Sequence, residues 1–166
     1  MDFYQKFISE KAKHKREILG KMFFPRTPVL VLDLSKNSIF QKFKDLLKGL
    51  DAISVVTFVI VPEGKIVDGL GSNIHFVSPA TKDEIYAAAD IAINWNGDKD
   101  ILKKNGCVAI GQLDGQKTEA YNPLTEKGNG FYFKNSTKWE VFAAIVKALE
   151  TYQFPYDWEN LVKNLL

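Results

Sequence analysis

The loop GQLDGQKTEAYNP holds the residues best suited to contact a phosphate group. Asp114 and Gly115 follow an apolar run and predict a tight turn, where a glycine lets backbone amides approach a ligand closely. If residues 116–121 begin a helical turn, its free N–H groups suit a phosphate. Lys117 would add positive charge, and Glu119 would accept hydroxyl groups from a ribose or sugar. A plain, solvated turn is the competing interpretation.

The other reactive side chains predict neither a metal site nor a nucleophile. His14 lies in a Lys-rich helix and is expected in solvent, whereas His75 alternates with apolar neighbours like a half-buried, hydrogen-bonded strand residue. Cys107 begins an apolar strand, which favours a buried, inert thiol. Trp95 stands at a strand end, where it is either a core residue or a platform for a base or sugar ring.

Composition bounds the class of protein. The 166 residues have a formal net charge of +2, and 46% of them are hydrophobic, as in a soluble globular domain. The balanced charge argues against nucleic acid as a partner, and no apolar run is long enough for a membrane span. One cysteine excludes an internal disulfide and fits a reducing compartment, so a cytoplasmic location is expected.

Strands and helices alternate along the chain. Short apolar runs predict six strands: PVLVLDL, ISVVTFVIV (Ile53 to Val61), residues 74–77, DIAINW, CVAIGQ and GFYFK. Helices are predicted over residues 2–21, after Asn37, from Thr81 with a capping box to Glu84, from Thr137, and after Pro155.

This pattern predicts an α/β fold, a Rossmann-like three-layer α/β/α domain with a mostly parallel sheet of about six strands. The whole of 1–166 is predicted as one domain, with an N-terminal helix in 1–24, an α/β core in 25–152 and a C-terminal helix in 153–166. Ligands of such sheets bind outside the carboxyl ends of the strands. The loops expected there are Asp33–Ser38, Pro62–Gly71, Asn94–Asp98, Gly111–Glu119 and Lys134–Thr137.

Four segments of the second half occur in a recognisable order: IYAAADIAIN, GCVAIG with the loop LDGQKTEAYNP, GNGFYFKNSTKWEVFAAIVKAL, and YQFPYDWENLVKNLL. Together they resemble the C-terminal domain of bacterial glycogen and starch synthases, which are GT-B glycosyltransferases. The resemblance covers Ile85 to Leu166 well and extends weakly to KREILG and PVLVLDLSK. It implies two Rossmann-like domains around a cleft, in which glucose passes from a nucleotide sugar to an α-glucan.

The sequence departs from this family where the family binds its donor. An Arg and a Lys that hold the donor diphosphate follow the family's first C-domain strand, but here Asp33 and then Ser35-Lys36-Asn37 occur, with Lys36 or Lys42 as substitutes. Asp33 is expected to repel a diphosphate. Where the family has two Glu residues, this sequence has only Asp98 and Asp100, whose spacing places them on different faces of a helix, so they cannot reproduce the pair. The family's N-terminal acceptor domain has no counterpart before the first strand.

Three hypotheses follow. The first is a nucleotide-sugar-binding domain that is not catalytic on its own, takes an ADP- or UDP-sugar, needs no cofactor or metal, and meets a glucan or a separate acceptor domain. Its candidate site residues are Lys36, Asn96, Asp114, Gly115, Gln116, Lys117, Thr118 and Glu119. The second is a non-catalytic interaction module that self-associates through terminal aromatic residues, although these equally fit packing between the two terminal segments. The third is an unrelated enzyme using His75 or Asp90 as a base.

Overall fold

A parallel sheet forms the centre of the computed structural model, which describes residues 3–22, 24, 26–95, 99–113 and 118–166. The strands are β1 (Val29–Asp33), β2 (Val56–Ile60), β3 (Ile74–Val77), β4 (Ile91–Asn94), β5 (Val108–Gln112) and β6 (Gly130–Phe133). All neighbours pair in parallel, in the order β3-β2-β1-β4-β5-β6. The predicted α/β class and parallel six-stranded sheet are confirmed.

Seven α-helices flank this sheet among the described residues. They are α1 (Phe3–Leu19), α2 (Asn37–Phe43), α3 (Leu46–Ala52), α4 (Lys82–Ala88), α5 (Lys99–Asn105), α6 (Lys138–Tyr152) and α7 (Pro155–Leu165). Helices α4 and α5 pack on one face, and α2, α3, α6 and α7 pack on the other. Helix α1 contributes to both cores, because Leu19 packs with α4 and α5 while Tyr4 and Phe7 pack against the opposite core.

Strand β1 is buried on both faces. Leu30 and Leu32 belong to one core and Val29 and Val31 to the other, as the alternation of side chains along a strand requires. A strand covered by helices on both faces is apolar throughout, which is why this run was recognisable from sequence. Strand β2 is shorter than predicted, since α3 continues to Ala52 and a left-handed residue (Ser54, φ 55°) turns the chain first.

Of two predicted helix N-caps, the one at Thr137 is confirmed and the one at Thr81 is wrong. Thr137 caps α6 as predicted, its hydroxyl accepting the N–H of Glu140 at 3.2 Å. The capping box at Thr81 was wrong: a 3₁₀ turn at Pro79–Thr81 comes first, and the Ser78 hydroxyl accepts the N–H of Ala80. A proline at the start of that turn has its φ already fixed for helix, so the chain turns three residues early.

The described part of the loop before β6 runs along the outer edge of that strand. The N–H of Tyr121 donates to the Gly130 carbonyl at 2.9 Å, and Ala120 bridges to Gly130 in parallel. This pairing protects an edge strand that would otherwise expose its backbone. A Cβ on Gly128 would lie 2.5 Å from the Ala120 oxygen, and one on Gly130 would lie 2.6 Å from the Ala109 oxygen. The Gly-Asn-Gly segment is therefore required by backbone packing.

Helix α1 docks at the amino edge of the sheet. The Lys11 ammonium donates to the carbonyls of Ala89 and Gly106, which precede β4 and β5. Gly106 has a φ of +55°, and the Phe7 ring lies where a Cβ would be, 2.3 Å from its Cζ atom. The docking of α1 thus depends on a glycine at the end of α5.

We expect Gly106→Ala to lower the free energy of unfolding more than Gly20→Ala does. Both positions have a left-handed φ, +55° and +52°, but a Cβ at Gly20 meets nothing within 4 Å. The backbone strain, about 1–2 kcal/mol, is therefore common to both, and the contact with Phe7 adds about 1–3 kcal/mol at Gly106. Urea denaturation measures the difference; equal losses would show that Phe7 moves aside freely.

Candidate functional site

The carboxyl ends of β1 and β4 mark the point where the strand order reverses. The chain passes from β1 outward to β2 and β3 on one side, and from β4 outward to β5 and β6 on the other. Asp33 and Asn94, the last residues of β1 and β4, are direct register partners. Crevices of this kind are where open parallel sheets bind ligands.

Asp33 lies in this crevice with its charge compensated. Its side chain is 1% exposed, and one carboxylate oxygen accepts the N–H of Ser35 at 3.1 Å. The other oxygen lies 3.5 Å from the Lys82 ammonium. A buried carboxylate needs such partners. The repulsion expected between Asp33 and a diphosphate is therefore offset by a cation that sequence reasoning did not consider.

Lys82 reaches the crevice from the first turn of α4. Its side chain is 25% exposed, and its ammonium also lies 5.5 Å from the centre of the Tyr86 ring. Nothing in the local sequence distinguishes this lysine from its solvated neighbours. Its position follows from the end of β3 lying two strands away from β1 in the same sheet.

Lys36, the predicted substitute for a diphosphate-binding residue, is exposed at the same edge. It precedes α2 in an extended conformation, and its side chain makes no hydrogen bond or ion pair with any described residue. Lys42, the other substitute, lies over the Phe43 ring with its ammonium 5.1 Å from the ring centre. Of these two lysines, Lys36 is the one whose charge is available at the crevice.

Trp95, which follows β4, packs against α2. Its ring stacks on Phe43 with centroids 4.4 Å apart and planes 21° from parallel. It is half-buried against the core, and its indole N–H is buried without an acceptor among the described residues. Of the two interpretations, the structure favours the core residue.

The end of β5 joins the end of β6 at the same edge. Leu113 donates its N–H to the Phe133 carbonyl at 3.0 Å, and the Gln112 side-chain amide donates to the Lys134 carbonyl at 3.1 Å. Five of the predicted site residues lie outside the described residues. They are Asn96, which follows β4, and Asp114, Gly115, Gln116 and Lys117, which follow β5. Thr118 is half-buried where the description resumes.

Glu119 does not lie at the carboxyl edge. Its carbonyl accepts the N–H of Asn129 at 2.9 Å, immediately before β6 begins, which places it toward the amino end of that strand. Thr118 to Tyr121 are not helical, so no helical turn presents its N–H groups here. The structure thus brings Lys36 together with Asp33 and separates Glu119 from both. Sequence reasoning missed this because Glu119 follows β5 closely in sequence, and only its long-range contact with Asn129 shows that it lies toward the amino end of β6.

Comparisons with known proteins agree with this geometry. No protein-family model matches the chain. A glycogen synthase of Clostridium beijerinckii is 30% identical over 106 residues, covering 58% of this chain and 22% of the relative. A glycogen synthase of Clostridium botulinum is 27% identical over 187 aligned positions, covering 96% of this chain and 38% of the relative. The chain therefore spans well under half the length of these relatives.

Solved structures show the same fold. The catalytic domain of starch synthase IV from Arabidopsis thaliana, bound to ADP and acarbose, superposes with a TM-score of 0.66 at 16% identity, covering 95% of this chain and 39% of that one. Spinosyn forosaminyltransferase SpnP superposes with a TM-score of 0.52 at 14% identity, covering 84% and 39%. The chain is therefore similar in sequence to glycogen synthases and shares its fold with these two transferase structures. The suspected resemblance is confirmed.

The third hypothesis gains no support in this glycogen synthase-like domain. His75 is half-buried on β3, its ring stacked 5.1 Å from that of Phe58. Burial lowers its pKa, but its Nε2 atom has no partner among the described residues, so the expected hydrogen bond is absent at that atom. Asp90 lies at the opposite edge of the sheet, where it accepts the Val29 N–H at 2.8 Å and pairs with Lys15.

Cys107 is buried, as its apolar surroundings predicted. It is fully buried, and burial raises the pKa of its thiol to about 11. Its sulfur lies 3.2 Å from the Tyr86 carbonyl, to which the thiol donates. Within the described ranges, no three acidic, histidine or cysteine side chains form a metal site, and no helix is apolar over a bilayer-spanning length.

We expect Lys15→Met and Asp90→Asn each to lower the free energy of unfolding, and the double variant to regain part of the loss. Both side chains are only 6% exposed. Removing either partner leaves a buried charge uncompensated, at a cost of about 3–5 kcal/mol. Urea denaturation of the four proteins forms a double-mutant cycle. A double variant that loses the sum of both single effects would mean that the two charges do not interact.

Proposed function

We propose that the crevice at the carboxyl ends of β1 and β4 binds the diphosphate of a nucleotide sugar. The observation that carries the proposal is the charge balance at this reversal of strand order. The Asp33 carboxylate is matched by Lys82, and Lys36 beside it has no ion-pair partner among the described residues. The edge therefore offers one uncompensated cation where an open sheet binds its ligand.

The chemical class of the ligand is supported by the relatives. The starch synthase IV structure contains ADP, a nucleoside diphosphate, and acarbose, an oligosaccharide. An ADP- or UDP-sugar is therefore the proposed ligand, and a glucan the proposed acceptor of the complete reaction. Lys117, in the loop after β5, would add a second cation to the diphosphate. A cytoplasmic location, predicted from the single cysteine, fits such a ligand.

We further propose that this chain transfers no sugar by itself. Departure of a diphosphate needs preorganised cations, and transfer needs a positioned acceptor in a site closed to water. The segment between β4 and β5 contains no glutamate, and Asp100, its acidic residue in the described part, belongs to the first turn of α5. We therefore propose that the chain binds a nucleotide sugar but does not catalyse the transfer of the sugar.

Titration calorimetry with ADP-glucose, UDP-glucose and ADP tests the binding proposal. We expect binding of at least one of the three in the millimolar range or tighter, and a loss of about tenfold in Lys36→Ala, the scale of one charge-assisted hydrogen bond. Lys13→Ala is the charge-matched control, because Lys13 is exposed on α1. Glu119→Gln, at the other end of β6, should bind normally.

Two results would contradict this proposal. No detectable heat of binding with any of the three nucleotides at about 10 mM would refute the proposed binding site. Equal losses in Lys36→Ala and Lys13→Ala would reduce the effect to general electrostatics. Incubation of labelled ADP-glucose with glycogen tests the second proposal; incorporation of label into glycogen by this chain alone would refute it.

A second candidate function is self-association, and exposed aromatic residues favour it. Phe24, Phe154 and Tyr156 are 66%, 56% and 65% exposed. Other terminal aromatic residues pack inward instead: Trp158 is buried, and the Lys163 ammonium lies 5.3 Å from the centre of the Tyr4 ring. The terminal segments therefore pack against each other and still leave three large rings in solvent.

Light scattering over a range of protein concentrations tests the interaction module. We expect the average mass to rise above that of a monomer and Phe154→Ser to reduce the rise, since it removes exposed apolar surface. Trp139→Ser is the control, because Trp139 is 74% exposed on α6. A monomeric mass at every concentration would exclude self-association.

A further inference from the structure

A second pocket lies at the amino edge of the sheet, opposite the proposed nucleotide site. It encloses about 370 Å³ between α1, the end of α6, and α7. We call it the basic pocket, because four cations and one carboxylate line it: Lys11, Lys15, Arg16, Arg26 and Asp90. Its volume is within the range that small-molecule sites occupy.

Two of these cations, Lys11 and Arg26, form no ion pair with any described carboxylate. Lys15 pairs with Asp90, and Glu159, the nearby acid on α7, pairs with Lys163 at 2.6 Å. Arg26 is exposed and forms no ion pair with a described residue. The basic pocket therefore has more positive than negative charge after its internal pairs are counted.

Lys11 is the buried cation of the pocket. It is 7% exposed, and its ammonium donates to the carbonyls of Ala89 and Gly106. An ammonium has three donors, so one of them has no oxygen or nitrogen acceptor among the described residues; the ammonium also lies 5.5 Å from the centre of the Phe7 ring. A buried charge is costly unless it is paired, and carbonyl dipoles do not neutralise it. An anion in the pocket would satisfy both the third donor and the charge.

The walls of the pocket are aromatic and add hydroxyl donors. Tyr152 and Trp158 meet edge to face with ring centroids 4.9 Å apart, and Tyr4 lies on the other side. Burial, with the charges of Glu159 and Asp90, raises the pKa of Tyr4 to about 12; burial, with the charge of Asp90, also raises that of Tyr152. Both phenols thus keep their protons at neutral pH. The Tyr152 oxygen accepts from Lys15 at 3.3 Å, which leaves its hydrogen available to a ligand.

We propose that the basic pocket binds a small phosphate monoester that carries a ring. Its two negative charges would match Lys11 and Arg26, and its oxygens would accept the third Lys11 donor and the Tyr152 hydroxyl. The ring would lie against the aromatic walls. This site is separate from the proposed nucleotide site, because Asp90, at its floor, accepts the N–H of the first residue of β1, whereas Asp33 ends that strand.

Titration calorimetry with phenyl phosphate tests this proposal, with inorganic phosphate and phenol as the two halves of the ligand. We expect phenyl phosphate to bind more tightly than inorganic phosphate, and phenol to give no signal. Arg26→Ala should weaken phenyl phosphate binding about tenfold. Lys13→Ala, an exposed α1 lysine that does not line the pocket, should leave it unchanged. Because Arg26 is exposed, its replacement does not threaten the fold.

Competition distinguishes this site from the nucleotide site. Phenyl phosphate should bind with the same affinity in Lys36→Ala, and it should bind whether or not ADP-glucose binds. Displacement of phenyl phosphate by ADP-glucose, equal affinities of the wild type and Arg26→Ala, or no binding at about 10 mM would each overturn the proposal. Lys11→Met, where it folds by circular dichroism, should lose at least as much affinity as Arg26→Ala.

Discussion

The fold depends on how the Asp90 carboxylate is held at the amino edge of the sheet. It accepts the N–H of Val29, the first residue of β1, and pairs with Lys15 of α1. A charge buried to this degree is tolerated only when its partners are in place. One carboxylate therefore joins the start of β4, the start of β1 and the first helix. The place where α1 crosses the sheet is set by this pair and by Lys11, since each lysine reaches a different group on the same edge.

A parallel sheet has two unlike edges, and this chain uses them differently. At the amino edge, α1 supplies donors to the carbonyls of Ala89 and Gly106, and a ring closes over the glycine. At the carboxyl edge, the strands end in loops whose polar groups are held by short contacts such as that of Ser35 with Asp33. Asp90 is therefore structural because of its partners, the Val29 N–H and the Lys15 ammonium. Its sequence context, between an alanine-rich helix and an apolar strand, is equally compatible with a catalytic base.

Sequence predicted the elements whose signals are local. The apolar alternation of β1 and the Thr137 cap of α6 are both readable from neighbouring residues, and both are confirmed. Sequence did not predict that Lys11 and Lys15 are buried, because a Lys-rich helix is usually solvated and their partners lie far along the chain. The position of Glu119 also depends on long-range pairing, since its carbonyl accepts the N–H of Asn129, immediately before β6.

Asp33 shows why the net charge of a binding site cannot be inferred from a single residue of the sequence. In sequence it replaces a cation by an acid where the family holds its diphosphate, which predicts repulsion. In the structure the Lys82 ammonium lies 3.5 Å away, so the pair presents little net charge to a ligand. In the proposed site, attraction for a diphosphate would rest on Lys36, which is exposed. The core needs Gly128 and Gly130 for close backbone packing whatever the ligand. Packing therefore maintains this scaffold whatever residues occupy the proposed site.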